Sequence, residues 1–383
     1  IAVMHGRVTA RAGILRVATF YQLPFEEAEK AWLEAKELVA MSQDKSALAE
    51  LQVSYAMAQM RDSDADGAVE NTTEALRTAR SAQGGEAVES RFRTSILLAY
   101  FGSGRVQEGL ALLTEPGCAP WTEGEVNLEN FYSRGFRALM ISYMGALDEA
   151  HRDIQAAIEM AQQQQTPVSW FYGNLVEYCN LSGNTEVALQ ASRDAISRAQ
   201  ENQSNFFLAN AQRAVAIANC LANRWDDAIA ACEAAIPLTE KGTAAYQFRA
   251  ANLGVYTRAL LGAGRLEDAY KIGEQAIAES QQRHARIVEC QTRLTMLSVL
   301  RKLGKENQAV TEQHLNAVKT LISQTGAEML TPFMLEETAR LHWVKNQRAE
   351  ANACLSKAHQ LYVQYNANGH AERLQQQHPE LAA

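Results

Sequence analysis

Asp268-Ala269-Tyr270-Lys271-Ile272-Gly273-Glu274-Gln275-Ala276-Ile277-Ala278 sets two alanines seven residues apart in a helix-forming stretch. Ala269, Ile272, Ala276 and Ile277 fall on one face at helical spacing. Small residues at two successive points of that face let a second helix approach closely, where leucine would hold it off. Just upstream, Gly262-Ala263-Gly264 ends a helix predicted over about Ala245 to Leu261. Glycine tolerates the left-handed conformation that closes a helix. The next helix is predicted from about Leu266, with Glu267 and Asp268 in its first turn against the positive end of the helix dipole. The unit is therefore a pair of helices.

The same ruler runs through the chain. Ala28, Ala68, Gly109, Ala150, Ala188, Ala228, Ala269, Ala309 and Ala351 follow one another at gaps of 40, 41, 41, 38, 40, 41, 40 and 42 residues. Seven residues further on stand Ala35, Ala75, Ala157, Ala195, Ala235, Ala276 and Ala358, with Ala317 one place late. Five residues before the anchor come Gly104, Gly145, Gly183, Asn223, Gly264, Gly304 and Asn346. A fixed period with small and turn residues in register is the mark of stacked helical repeats.

The pattern resembles the tetratricopeptide repeat, which also carries paired small residues in its second helix. The likeness covers essentially the whole chain, although the period of about forty exceeds the usual thirty-four. It implies an all-α, right-handed superhelical solenoid of about nine helix pairs, with a capping helix at about 369–383. Longer units of this kind are similar to the C-terminal repeat regions of large bacterial AAA- or STAND-type signalling ATPases, cyclase-associated or MalT-like. The stretch from Glu350 to Tyr362, followed by Asn368 to Leu374, carries the cyclase-associated likeness. By that resemblance, any catalytic domain is expected upstream of Ile1. No helix-turn-helix signal follows the last repeat, which weakens the MalT-like version.

A chain of 383 residues would ordinarily divide into two or three domains. In a solenoid each unit contacts its neighbours, so one array over 1–383 is expected. Its rhythm breaks once, where Pro116 stands in place of the second alanine and a loop insertion is predicted over about 114–124. Trp121 in that loop either binds a partner or folds back over a seam. No apolar run approaches a membrane span. The net charge of −8 argues against a general nucleic-acid surface. Six cysteines without a Cys-x-x-Cys pair read as small buried hydrophobes in a reducing, cytoplasmic setting.

Catalytic motifs are missing. The eight histidines lack metal-ligand spacing, no phosphate-cradling loop follows a strand, and the acidic pairs Glu26-Glu27 and Asp226-Asp227 sit at helix starts. The expected function is thus non-enzymatic, without cofactor or metal: an interaction or sensor module for a peptide, a protein or a small anionic effector. A self-associating structural module, or the effector-binding arm of an ATPase-type activator, is the alternative.

By the repeat resemblance, first helices line the concave face. Counting 18, 16 and 15 residues back from the anchors gives a candidate groove of Arg91, Arg93, Arg134, Trp170, Tyr172, Asn210 and Arg213, joined by Arg249 and Arg293. Arginine beside aromatic rings suits a carboxylate or phosphate joined to a flat group. The competing reading pairs these arginines with Glu89, Glu129, Glu177 and Glu289 and places the aromatics in the core.

Overall fold

The computed structural model describes residues 10–382 apart from 12, 16–24, 43, 63, 83–84, 115–127, 166–167, 203, 244 and 306–308. The described residues form helices and turns. α1 (Phe25–Ser42) is followed by the pairs α2 (Lys45–Asp62) with α3 (Ala65–Arg80), α4 (Gly85–Ser103) with α5 (Val106–Leu112), and α6 (Leu128–Tyr143) with α7 (Leu147–Gln163). Then come α8 (Ser169–Ser182) with α9 (Thr185–Glu201), α10 (Asn205–Leu221) with α11 (Trp225–Ala235), and α12 (Arg249–Gly262) with α13 (Leu266–Gln282). α14 (Arg286–Lys302) with α15 (Ala309–Thr325) and α16 (Thr331–Val344) with α17 (Arg348–Gln364) complete the pairs, and α18 (Asn368–Gln377) caps them. Each pair packs internally and against the next.

All seven turn residues picked out by their spacing take positive φ, from 55° at Asn223 to 89° at Gly145. The anchors Ala28, Ala68, Ala150, Ala188, Ala228, Ala269 and Ala351 are fully buried, as are their partners seven residues on. Gly109 replaces alanine because a Cβ there would lie 2.5 Å from Met140 Cε and 2.7 Å from Tyr100 Cβ. α15 departs from the expected phase. Ala309 is exposed and Ala317 only half-buried, and the buried pair is Thr311 and Val318. The seven-residue spacing survives with a slip of two between Gly304 and the pair. In place of a regular start, the Thr311 hydroxyl donates to Lys305 O over 2.8 Å. The loop predicted over 114–124, with Trp121, lies outside the described residues beyond Thr114.

Phenylalanine at Ala228 or Ala269 should overpack a contact with no free space, costing about 1–3 kcal/mol in denaturant melts. A neutral shift at both positions would remove the assigned phase.

Neighbour contacts alone do not describe the array. The chain winds until the turns inside early units meet the junctions between late ones. Arg286 at the start of α14 donates to both oxygens of Asp66 in α3, over 2.8 and 2.7 Å, and to Ser103 O over 2.8 Å. Asn366 Nδ2 donates to Asp148 Oδ2 over 2.8 Å. His370 of α18 donates from Nε2 to Asn180 O over 2.9 Å, its ring kept neutral by burial that pushes its pKa down to about 4. Gly145 lies under the Tyr365 ring and Gly183 under the backbone of Gly369. The second to fifth units thus dock on the seventh unit and beyond along one polar seam, and the first helices line a chamber that is partly open to solvent.

Candidate functional site

The chamber has a volume of about 780 Å³ and is walled by α4, α6, α8, α10, α12, α14, α16 and α18. On α8 the inward residues are Trp170, Asn174, Glu177 and Asn180 or Leu181, steps of three and four that trace one helix face. Counting seven on from Trp170, Ala251, Gln291 and Phe333 reaches Glu177, Arg258, Ser298 and Arg340, and all eight line the chamber.

Its wall is positive in a negative protein. Arg213, Arg258, Arg283, Arg301, Lys302, Arg340 and Arg373 face Glu177, Glu336 and Glu337, seven cations to three anions, a balance of +4. Glu336 and Glu337 are engaged: Glu336 accepts from Arg340, Arg373 and Tyr362, and Glu337 accepts from Ser298 over 2.8 Å and from Arg340. Glu177 accepts from Tyr143 Oη over 2.6 Å, Arg213 Nη1 over 3.0 Å and Gln291 Nε2 over 3.3 Å. Buried and next to Glu177, Tyr143 has its pKa raised well above the usual phenol value. Arg258 Nη1 donates to Asn180 Oδ1 over 2.7 Å.

Other polar atoms of the wall lack partners. Trp170 Nε1, Asn174 Nδ2, Arg213 Nε, Arg283 Nη2 and Arg301 Nε are buried and meet no acceptor. All five are donors. A buried unsatisfied donor costs about 1–3 kcal/mol, and these atoms have almost no surface open to the chamber, so the cost is internal to the wall. One end of the space is apolar. Trp170 packs against Phe136, Phe206 and Phe248 at centroid distances of 5.6, 5.9 and 5.8 Å.

Of the nine groove candidates, Trp170 and Arg213 line the chamber. Asn210 lies beside them, its Oδ1 accepting from Arg213 Nη2 over 3.2 Å while its buried Nδ2 has no acceptor. Arg249 turns away, with Nε on Glu279 of α13 over 3.0 Å. Arg93, Arg134, Tyr172 and Arg293 are on other faces. Arg134 lies near Asp153 of α7, whose carboxyl is raised by burial against the pull of Arg137 and Arg134. Tyr172 Oη accepts from Gln162 at the end of α7, and Arg293 binds Glu289 over 2.8 Å and contacts His314 over 3.1 Å. The side chain of Arg91 lies outside the described residues. The physical reason is angular: positions 18 and 16 before the anchor are two residues apart, about 200° around the helix, so only one of those columns can face inward. Asn174, Glu177, Arg258, Gln291, Arg301, Arg340 and Arg373 were not in the candidate groove. Steps of seven from Trp170 and from Gln291 would have reached the first columns, but nothing in the spacing announces α18 as a wall.

Among the described residues, no group of three or more His, Cys, Asp or Glu is placed to hold a metal ion. No described helix is long and apolar enough to cross a membrane.

No protein-family model and no curated protein matches the chain. Among solved structures it is similar to a Rap protein complexed with Competence and Sporulation Factor, with a TM-score of 0.63 at 11% identity, over 95% of this chain and 98% of that one. The apo form of RapI gives 0.46 at 13% identity, over 96% and 97%. A STAND protein with a tetratricopeptide repeat sensor from Pyrococcus horikoshii gives 0.44 at 11% identity; 91% of this chain aligns with 54% of that protein, about half its length. At such identities the likeness is one of fold: the chain is built as a tetratricopeptide-like helical-repeat protein.

Proposed function

We propose that this array is a non-enzymatic interaction and sensing module of a cytoplasmic bacterial signalling protein. Its interior takes a peptide, a segment of a protein partner or a small effector that carries an acidic group. The observation that supports this reading most is the surplus positive charge of the chamber wall, seven cations to three anions, beside an aromatic end. The cations call for an acidic group, and the aromatic end calls for an apolar one. The volume falls in the range of pockets that engulf small ligands. The Rap protein of similar fold is complexed with Competence and Sporulation Factor, which supports a binding role for such an array.

The test uses a set of capped six-residue peptides, acidic, neutral and basic, titrated against the full chain with tryptophan fluorescence as the signal. Acidic members with an aromatic residue should bind. Arg301→Gln combined with Lys302→Gln removes two cations of the wall and leaves Trp170 in place, and should weaken binding of the acidic peptides about tenfold. The melting temperature should hold within a few degrees. Binding that ignores both substitutions, or that favours basic peptides, would sink the reading.

A further inference from the structure

Glu177 is the anomaly of the chamber. It is 5% exposed, and it holds its carboxylate among donors from three other helices: Tyr143 of α6, Arg213 of α10 and Gln291 of α14. It stands one step along α8 from Asn174 and two from Trp170, beside Arg213 Nε. Arg213, a cation of the chamber wall, is therefore held by a carboxylate that the chain itself supplies. An acidic ligand reaching for Arg213 meets that charge at close range.

Glu177 also ties distant parts of the array. Gln291 Nε2 donates both to Glu177 and, over 2.9 Å, to Tyr143 Oη, joining α14 to α6 and α8 across the chamber. Arg213 cannot give the same N–H to Glu177 and to a ligand. Taking Arg213 therefore weakens the hold of Glu177 on its place, and with it the bond from α14.

We propose that Glu177 is a resident competitor, seated where the acid of a ligand belongs, and that a ligand acid displaces it and loosens α14 from α6 and α8. This rests on the reading of the interior as a binding site. It adds how the empty chamber is held and how occupancy is passed to the far wall. The step is an exchange of hydrogen-bond acceptors around Arg213, with no bond made or broken.

The probe is 8-anilinonaphthalene-1-sulfonate, an aromatic monoanion, compared with its uncharged relative N-phenyl-1-naphthylamine. Glu177→Gln keeps the size, removes the charge and turns one of the two accepting oxygens into an NH2 group that cannot accept. Glu289→Gln, on Arg293 away from the chamber, makes the same change of net charge elsewhere. Glu177→Gln should bind the anion about tenfold more tightly than either wild type or Glu289→Gln, the scale of removing one like charge at close range. The uncharged probe should show no such difference. Saturating anion should raise amide exchange in the α14 segment of wild type; in Glu177→Gln that exchange should be raised already without probe.

Equal anion affinity in Glu177→Gln and Glu289→Gln would overturn the proposal, as would α14 exchange that does not respond to the anion. If the uncharged probe binds but the anion binds none of the proteins, the competitor idea fails while the interior site survives. If neither probe binds any variant, both fail.

Discussion

Alanine at Gly369 is expected to release the C-terminal helix. In an ordinary helix, glycine to alanine stabilises by up to about 1 kcal/mol, so the direction of the effect is itself diagnostic. Here a Cβ on Gly369 would come 2.2 Å from Gly183 O and 2.5 Å from Gly183 C, backbone atoms that cannot swing aside. Gly183→Ala should do the same from the other side, since its Cβ would sit 2.5 Å from His370 N and its φ of +81° is strained for any L side chain. Gly264→Ala is the control, with φ of +77° but no atom within 4 Å. It should cost about 1–2 kcal/mol for the left-handed backbone and leave α18 docked. Amide exchange over Asn368–Gln377 and proteolysis at the junction before it would separate the three. A Gly369→Ala protein that melts higher than wild type would show that the helix is not seated on Gly183.

Glu336→Ala is expected to cost about 2–3 kcal/mol, because it leaves the buried Tyr362 hydroxyl without its acceptor and two half-buried arginines without their carboxylate. Glu336 is 3% exposed and accepts from Arg340 Nη2 over 2.9 Å, Arg373 Nη1 over 3.1 Å and Tyr362 Oη over 2.7 Å. Burial raises its carboxyl, but Arg373 and Arg340, with the Tyr362 hydroxyl, outweigh this and hold its pKa below the usual carboxylate value. A depressed folded pKa gives stability that is present above the unfolded value of about 4.3 and lost as pH falls through the folded one. The stability gap between wild type and Glu336→Gln should therefore be wide at pH 7 and close as the solution is taken below about pH 4.3. Denaturant melts at a series of pH values give the comparison. A gap that does not change with pH would mean Glu336 is not held ionised by its arginines.

How far this molecule can be read from its residues differs between backbone and side chains. The repeat was legible because each signal had one physical cause repeated in register. Gly104, Gly145 and Gly183 close helices with positive φ, and Ala150 with Ala157 or Ala188 with Ala195 let helices touch. The slip in α15 was hidden because Thr311 and Val318 fill the contact while Ala309, in phase by number, sits outside it. The chamber was legible only in part. Trp170 and Arg213 were within reach of a count from the anchors, but a column error of two residues swings a side chain to the opposite face, which is how Arg134 and Arg293 entered the groove on paper. Asn174 and Glu177 carry no signal of their own, since a buried Asn or Glu looks like any helical polar residue until its neighbours are known. The seam had no local signature at all. Asp66 and Arg286 are 220 residues apart, and nothing near either names the other.

That seam changes what kind of object the protein is. An open array of repeats behaves like a row of dominoes: each unit has its own stability plus a share with the next, and units can be lost from an end one at a time. Here Arg286 to Asp66, Asn366 to Asp148 and His370 to Asn180 stitch the row back on itself. Early units cannot reach their full stability until the last ones have been made, so the chain carries the long sequence separations that slow the search for the native state. In return, damage to the last units is expected to be felt in the second to fifth ones, since the same contacts hold both.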